Sequence, residues 1–325
     1  MNQTLVTQFI LLGFQDLDSY RIVLFHLFLL LYIVTVSGNL LIISLVSINQ
    51  SQSLSSPMYF FLSHLSTCDL LLTTVIVPLM LNNILKGKVS VSFLGCFAQL
   101  YLFGALASTE CLLLAVMSYD RYVAICNPLR YSSIINLHRC SLQVFGSWFL
   151  SFSVMLITII QIYRLDFCGP NIIDHFFCDL APLLQLSCSD TSFVELENIL
   201  TGLPLTFAPL MYITATYIAI FMAIFRIPTT IGRHKAFYTC SSHITVVSIY
   251  YGTLVVAYLF LSKDYPLNVH KALSLLYTVL TPMLNPIIYS LRNKEIKIAF
   301  LKLVVVEQRA ILKLSVRGKK HIASC

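Results

Sequence analysis

Two acids stand inside runs that are otherwise apolar, Asp69 in STCDLLLTTVIV and Glu110 in STECLLLAV. At the centre of a bilayer an unsatisfied carboxylate costs about 2.5 to 3.5 kcal/mol, so each acid needs a partner if these runs cross a membrane. Two carboxyls facing a polar interior can share a proton or hold a small cation such as sodium; a protonated acid bonded to Asn39 or Asn285 meets the same need. Eleven residues after Glu110, about 16 Å along a helix, Asp120 and Arg121 stand side by side directly after the apolar run. An arginine at the mouth of an apolar helix extends its guanidinium into the headgroup zone, and the neighbouring acid can hold it in one rotamer, which makes a latch at a membrane face. Lys235, Thr239 and His243 recur at i, i+4 and i+8 and predict an inward polar stripe; His243 could sense protons or make an interhelical hydrogen bond. Asn285-Pro286 removes a backbone donor and predicts a kink, and Tyr289, one turn on, could bring its hydroxyl to Tyr217 and Arg121 if the helices rearrange. No nucleophile and no open metal site accompanies the acid pair, so the residues argue against an enzyme and call for no cofactor beyond a sodium ion.

The elements that must position these groups are membrane helices. Over 325 residues the chain is 58% hydrophobic and 11% charged, with a mean hydropathy of +0.83, too apolar for a soluble domain of this length. Seven runs of about 20 residues or more, near 22–47, 57–80, 96–119, 141–162, 198–225, 237–261 and 270–290, are long enough to span the hydrocarbon. With the amino terminus outside, 15 of the 21 lysines and arginines fall on the inner side and 6 on the outer, so the inner face is that of Asp120 and Arg121. The formal charge of +7 follows from this bias and a basic tail; anionic lipid suffices as its partner and no nucleic acid is implied. No cleavable signal peptide is evident, which leaves the first span as the targeting signal. Asn2 is a glycosylation sequon on the outer arm, whereas the sequon at Asn49 falls on an inner loop.

Along the chain, Ser37, Gly38 and Asn39 notch the first span for close packing. Counting by three and four along the third span brings Leu100, Phe103, Gly104, Ala107, Ser108 and Cys111 to related faces, with no charge among them. A pocket built on such a face favours small, largely apolar molecules with one hydrogen-bonding group over amines that require a buried carboxylate. Thr201 and Leu205 lie one turn apart above Pro209 in the fifth span, and Tyr251, Leu254 and Tyr258 rise along the sixth. Leu275 and Thr278 of the seventh complete the candidate lining. Beyond Arg292, NKEIKIAFLKLVV can form a short amphipathic helix with Ile296, Phe300 and Leu303 down and Lys294, Lys297 and Lys302 at the lipid interface. Cys325 does not complete a prenylation motif. Cys96, Cys168, Cys178 and Cys188 share the outer side and allow three disulfide pairings. His175 beside Cys178 suggests zinc, but no ligand quartet supports it.

Four strings carry a family resemblance: MSYDRYVAICNPLRY at 117–131, PMYFFLSHLSTCDL at 57–70, KAFYTCSSHITVVSIYYG at 235–252 and TPMLNPIIYSLRN at 281–293. Together they resemble the vertebrate olfactory receptors, a branch of the rhodopsin-like G-protein-coupled receptors. The departures are His64, where the family more often has asparagine, and Tyr238, where it usually has serine. The resemblance implies an all-α, seven-helix membrane bundle with a short amphipathic helix after the seventh span. It divides the chain into an extracellular arm at 1–21, a receptor domain at 22–290 and an amphipathic helix with a basic tail at 291–325. It also implies the pairing Cys96–Cys178 and Cys168–Cys188, an ion and switch site at Asp69 and Glu110, and Trp148 as a packing residue. The implied function is binding of a small volatile or apolar odorant and activation of a stimulatory olfactory-type G protein through Asp120, Arg121, Tyr217, His243, Asn285, Pro286 and Tyr289. The implied location is the plasma membrane, in olfactory cilia. A family member sensing a metabolite outside the nose is the nearest alternative. A transporter is a more distant one, because internal hydropathy repeats are not seen.

Overall fold

The computed structural model describes residues 7–48, 56–168, 170–259, 267–293 and 295–301. Asn2, Asn49, the side chains of Tyr258 and Arg292, Lys294 and the tail from 302, including Leu303 and Cys325, lie outside the described residues. Seven long helices make up the described bundle: α1 Arg21–Ile48, α2 Pro57–Lys86, α3 Phe93–Cys126, α4 Leu137–Tyr163, α5 Ser192–Arg226, α6 Thr230–Leu259 and α7, residues 267–292. Six of them are long and apolar enough to cross a membrane by length and composition. The remaining one, α6, is 30 residues long and opens on the polar turns TIGRHK.

The helix ends follow local chemistry. Pro57 opens α2, where its missing N–H leaves no bond unmade. Gly87 closes that helix in the left-handed region at φ 77°, its N–H capping the Asn83 carbonyl. Ser92 caps α3 by accepting from Gly95 N at 3.1 Å, and Asn136 caps α4 by accepting from Arg139 N at 2.9 Å. The 34 residues of α3 run about 51 Å and pack against α2, α4, α5 and α6.

α7 is made of Leu267–Leu275, one π-helical turn at Leu276–Leu280, and Thr281–Arg292. Pro286 cannot donate to the carbonyl four residues earlier, that of Pro282. Asn39 of α1 meets that oxygen instead, its Nδ2 donating at 3.2 Å. Gly38 permits the approach, because a Cβ there would stand 3.1 Å from the Pro286 ring. The notch in α1 is thus the seat for the kink in α7, and Asn39 is not the partner of Asp69.

The outer end carries a roof that the spans did not predict. Strand β1 (Gln8–Leu11) pairs antiparallel with β2 (Val89–Ser92) and parallel with β3 (Ile172–Ile173). Phe9, Leu11, Phe97, Ile173 and Leu183 form a separate apolar cluster beneath it. At the inner end, residues 295–301 are helical. Asn293 accepts from the backbone N–H groups of Glu295 and Ile296 at that helix's start. Ile296 and Ala299 are its buried face, and Phe300, expected on that face, is exposed. Ala299 and Phe300 flank Ile296 on opposite sides of one helix face, and the bundle lies on the Ala299 side.

Candidate functional site

The outer layer is organised by the second outer loop. Cys178 is bonded to Cys96 at the head of α3, and Cys168 to Cys188. Cys178 is no metal ligand, and no group of three metal-binding side chains is found among the described residues. Gln99 reinforces the tie, its Oε1 accepting from Cys178 N at 2.9 Å and its Nε2 donating to the Val75 carbonyl at 2.8 Å. Phe177 is thereby set edge-on to Phe103 with ring centroids 5.2 Å apart, and Tyr277 of α7 stands 6.1 Å from the same ring. Phe14 stacks on Phe176 from the amino-terminal arm.

Below this roof Tyr250 donates to the Ala107 carbonyl at 2.9 Å and lies 3.3 Å from Cys111 Sγ, which couples α3 to α6. Tyr251 is buried beside Tyr250. Ser108, Leu205, Leu254 and Leu275 are half-buried, and Thr278 is buried with its hydroxyl donating to the Ser274 carbonyl at 2.6 Å. Thr201 donates to the Glu197 carbonyl at 2.9 Å. Gly104 departs from the expected lining: a Cβ there would run into the Met155 side chain of α4. Its role is to let α3 and α4 cross closely, and Met155 covers it.

The middle layer is the acid pair. Asn285 Nδ2 donates to both oxygens of Asp69 at 3.0 Å. The Glu110 carboxyl is in hydrogen-bonding contact with Asp69, and all three residues are buried. Asn285, beside the kink at Pro286, thus supplies the donor to Asp69, and Glu110 Oε1 is left buried without one among the described residues.

The inner layer holds the Asp120–Arg121 pair. Arg121 pairs with Asp120 at 3.0 Å, the side chains being 12% and 1% exposed. Tyr131, in a short helix after α3, donates to Asp120 Oδ1 at 2.6 Å. Burial, then the Asp120 charge, push the Tyr131 phenol upward, so it stays a donor. Tyr217 of α5 is 2.6 Å from His243 Nδ1 of α6 rather than bonded to Arg121, and the Tyr289 hydroxyl is buried with no hydrogen-bond partner among the described residues. Of the stripe expected on α6 only His243 points inward. Lys235 and Thr239 are exposed, Thr239 turning back to the Lys235 carbonyl. Both precede Cys240, the first buried residue of α6, and Pro204 of α5 is exposed while Pro209 is buried.

Several polar partners escape sequence reasoning. Lys271, only 4% exposed, donates to the Gly13 carbonyl at 2.7 Å and to Asp174 at 2.5 Å, fastening arm, loop and α7 at one nitrogen. A lysine inside a candidate span is the signal that could have found it. His175 is buried beside it, 3.4 Å from Ser274 Oγ, and burial followed by the Lys271 charge lowers its pKa to about 3. Tyr59 of α2 donates to Glu295 at 2.8 Å with its hydroxyl 3.0 Å from Asn293 Oδ1, closing the inner end.

A family model described as "Olfactory receptor" matches residues 28–307. Human olfactory receptor 11L1 is 46% identical over 303 residues, covering 93% of this chain and 94% of that protein. Human olfactory receptor 10C1 is 48% identical over 299 residues, covering 92% and 95%. Among solved structures, squid rhodopsin superposes with a TM-score of 0.70 at 19% identity, covering 88% of this chain and 85% of that one.

Proposed function

This chain belongs to the olfactory receptor family, and from that premise we propose that it binds small, largely apolar odorants in the outer pocket and activates a stimulatory G protein from its inner face. The protein is a multi-pass membrane transducer and not an enzyme. The proposed pocket is set by Phe103, Ala107, Ser108, Cys111, Thr201, Leu205, Tyr251, Leu254, Leu275 and Thr278, with the Tyr258 position above them. The proposed coupling end is Asp120, Arg121, Tyr217, His243, Asn285, Pro286 and Tyr289, with anionic lipid against the basic inner surface.

What supports this division is separation along α3. Arg121 follows Phe103 by 18 residues, about 27 Å of helix, so a ligand at Phe103 cannot touch it. A ligand shifts a conformational equilibrium only by binding one state better than the other. The Tyr250 hydroxyl on the Ala107 carbonyl gives the outer pocket a grip on α6, and the Tyr217 to His243 bond gives α5 and α6 a shared inner end. Movement of α6 would carry that inner end away from α3, freeing Arg121 from Asp120 and opening a cleft for the G protein. Asp69 and Glu110, with a shared proton or a sodium ion, occupy the stretch between.

The test is a panel of odorants on surface-expressed receptor with cyclic AMP as readout, in cells with and without the stimulatory alpha subunit. A dose-dependent response that vanishes without the subunit is expected. Responses that persist without it would overturn the G-protein assignment, and silence across a broad panel at verified surface expression would overturn the odorant one.

A further inference from the structure

The face of α3 is uncharged, which taken alone disfavours ligands that need a carboxylate. α5 supplies one. Glu197, Thr201 and Leu205 follow at i, i+4 and i+8 and share a helix face, so Glu197 stands about one turn outside Thr201 and about two outside Leu205, both proposed pocket residues. Its Oε1 accepts from Thr158 Oγ1 of α4 at 3.0 Å and lies 3.3 Å from Thr201 Oγ1, whose proton goes to the Glu197 carbonyl. Thr158 is buried, and Met155, three residues before it, is the side chain that covers Gly104 of α3. The carboxylate therefore lies at the seam of α4 and α5 over the crossing of α3 and α4. Its second oxygen, Oε2, is shut off from the surface, and no donor among the described residues reaches it. The buried cation of the outer half, Lys271, is committed to Asp174 and Gly13.

A carboxylate with one oxygen held by the Thr158 hydroxyl has its other oxygen buried and unsatisfied. A buried acceptor in that condition rewards any partner that brings a donor. We propose that Glu197 is the specificity-determining acceptor of this receptor, selecting small apolar ligands that carry one O–H or N–H donor. This rests on the odorant-receptor assignment above and adds a ligand class to it. An alcohol would use its hydroxyl hydrogen; a protonated amine would also bring the compensating charge. Ethers, esters and alkanes of the same skeleton gain nothing from Oε2. Thr158 acts through Glu197 as a positioning residue.

The experiment uses the full-length receptor at matched surface expression, with octyl and phenylethyl skeletons each presented as the primary alcohol, primary amine, methyl ether and acetate ester. Cyclic AMP dose curves are compared between the parent, Glu197→Gln and Glu197→Leu. Gln keeps an oxygen for Thr158 while losing the free acceptor. In the parent, a donor-bearing member should act at a concentration about tenfold or more below its methyl ether, the discrimination expected of a bond to a charged acceptor. Both variants should erase that gap by weakening the donor-bearing member and leaving the ether where it was. If the alcohol survives Glu197→Gln and the amine does not, the donor recognised is the ammonium. Equal potency of the ether and of both donor-bearing members, alcohol and amine, in the parent would overturn the proposal. So would a variant that shifts all four members alike, which is the mark of a purely structural clasp. A parent that answers only ethers or esters overturns this inference and leaves the odorant assignment standing; one silent to every odorant removes both.

Discussion

Replacing Asp120 by Asn should switch the receptor partly on without ligand. Asp120 forms an ion pair with Arg121 at 3.0 Å and accepts a hydrogen bond from Tyr131 at 2.6 Å, and it is 1% exposed, so both contacts are shielded from water. Hydrogen bonds to charged groups contribute about 1.5 to 3 kcal/mol each. Taking the lower figure for the net loss, because asparagine still accepts from one donor, the paired state is weakened about tenfold relative to the released one. If about 1% of receptors are released at rest, the variant should hold about 10% released, a tenfold rise in basal signal. The agonist concentration for half response should fall as well. Basal and stimulated cyclic AMP, each normalised to surface receptor, measure both. Tyr131→Phe removes one bond and keeps the ion pair, so its rise should be smaller. Because Tyr131 acts on the latch through Asp120, adding Tyr131→Phe to Asp120→Asn should change little. Basal output equal to the parent in Asp120→Asn, or full additivity in the double variant, would refute the latch.

Arg121→Ala should abolish most agonist-stimulated cyclic AMP while a radioligand or thermal-shift assay still detects odorant binding; normal signalling from this variant would remove the coupling role. Asp69→Asn should weaken any dependence of agonist potency on sodium and alter basal output while leaving the potency order of a ligand panel intact; a reordered panel with unchanged basal output would place Asp69 in ligand recognition instead. His175 is held neutral with a folded pKa of about 3 against an ordinary 6.5. Below pH 6.5 the unfolded chain therefore takes up a proton that the folded one refuses, and stability falls as pH drops toward 3. At pH 5 the loss is at most about 2 kcal/mol. Melting of solubilised receptor at pH 7.5 and 5 should show that loss, and His175→Asn should shrink it; an unchanged pH difference would refute the assignment.

The spans, the inner face and the places of Asp69, Glu110, Asp120 and Arg121 were legible because each sets a charge against apolar surroundings, a contrast visible in one dimension. Their partners were not. Asn285 and Asn39 both stood available for Asp69, and only the Pro286 kink, which frees the Pro282 carbonyl, assigns Asn39 elsewhere. Gly104 fell on the predicted α3 arc because helical counting gives a face and not the neighbour across it, which is Met155. The roof escaped for another reason: QFIL at 8–11 is too short to signal a strand alone and becomes one by pairing with segments about 80 and 160 residues away. Glu197 and Lys271 were single charges near span ends, where a surface position is the ordinary expectation.

The bond from Asn39 to the Pro282 carbonyl divides the bundle into a stator and a rotor. An orphaned backbone oxygen in hydrocarbon must keep a donor at every instant of a movement, so the lower half of α7 can travel only as far as α1 travels with it. Gly38 seated against Pro286 gives that joint no slack. α6 is held differently, by the phenol of Tyr250 above and the imidazole of His243 below, and side-chain hydroxyls and rings can change partners by rotating about a single bond. Stroke length is therefore unequal by construction: α1 and α7 form the fixed frame, and α6 is the part free to swing. α1 carries none of the proposed pocket or coupling residues, yet it sets the reference against which that swing is made.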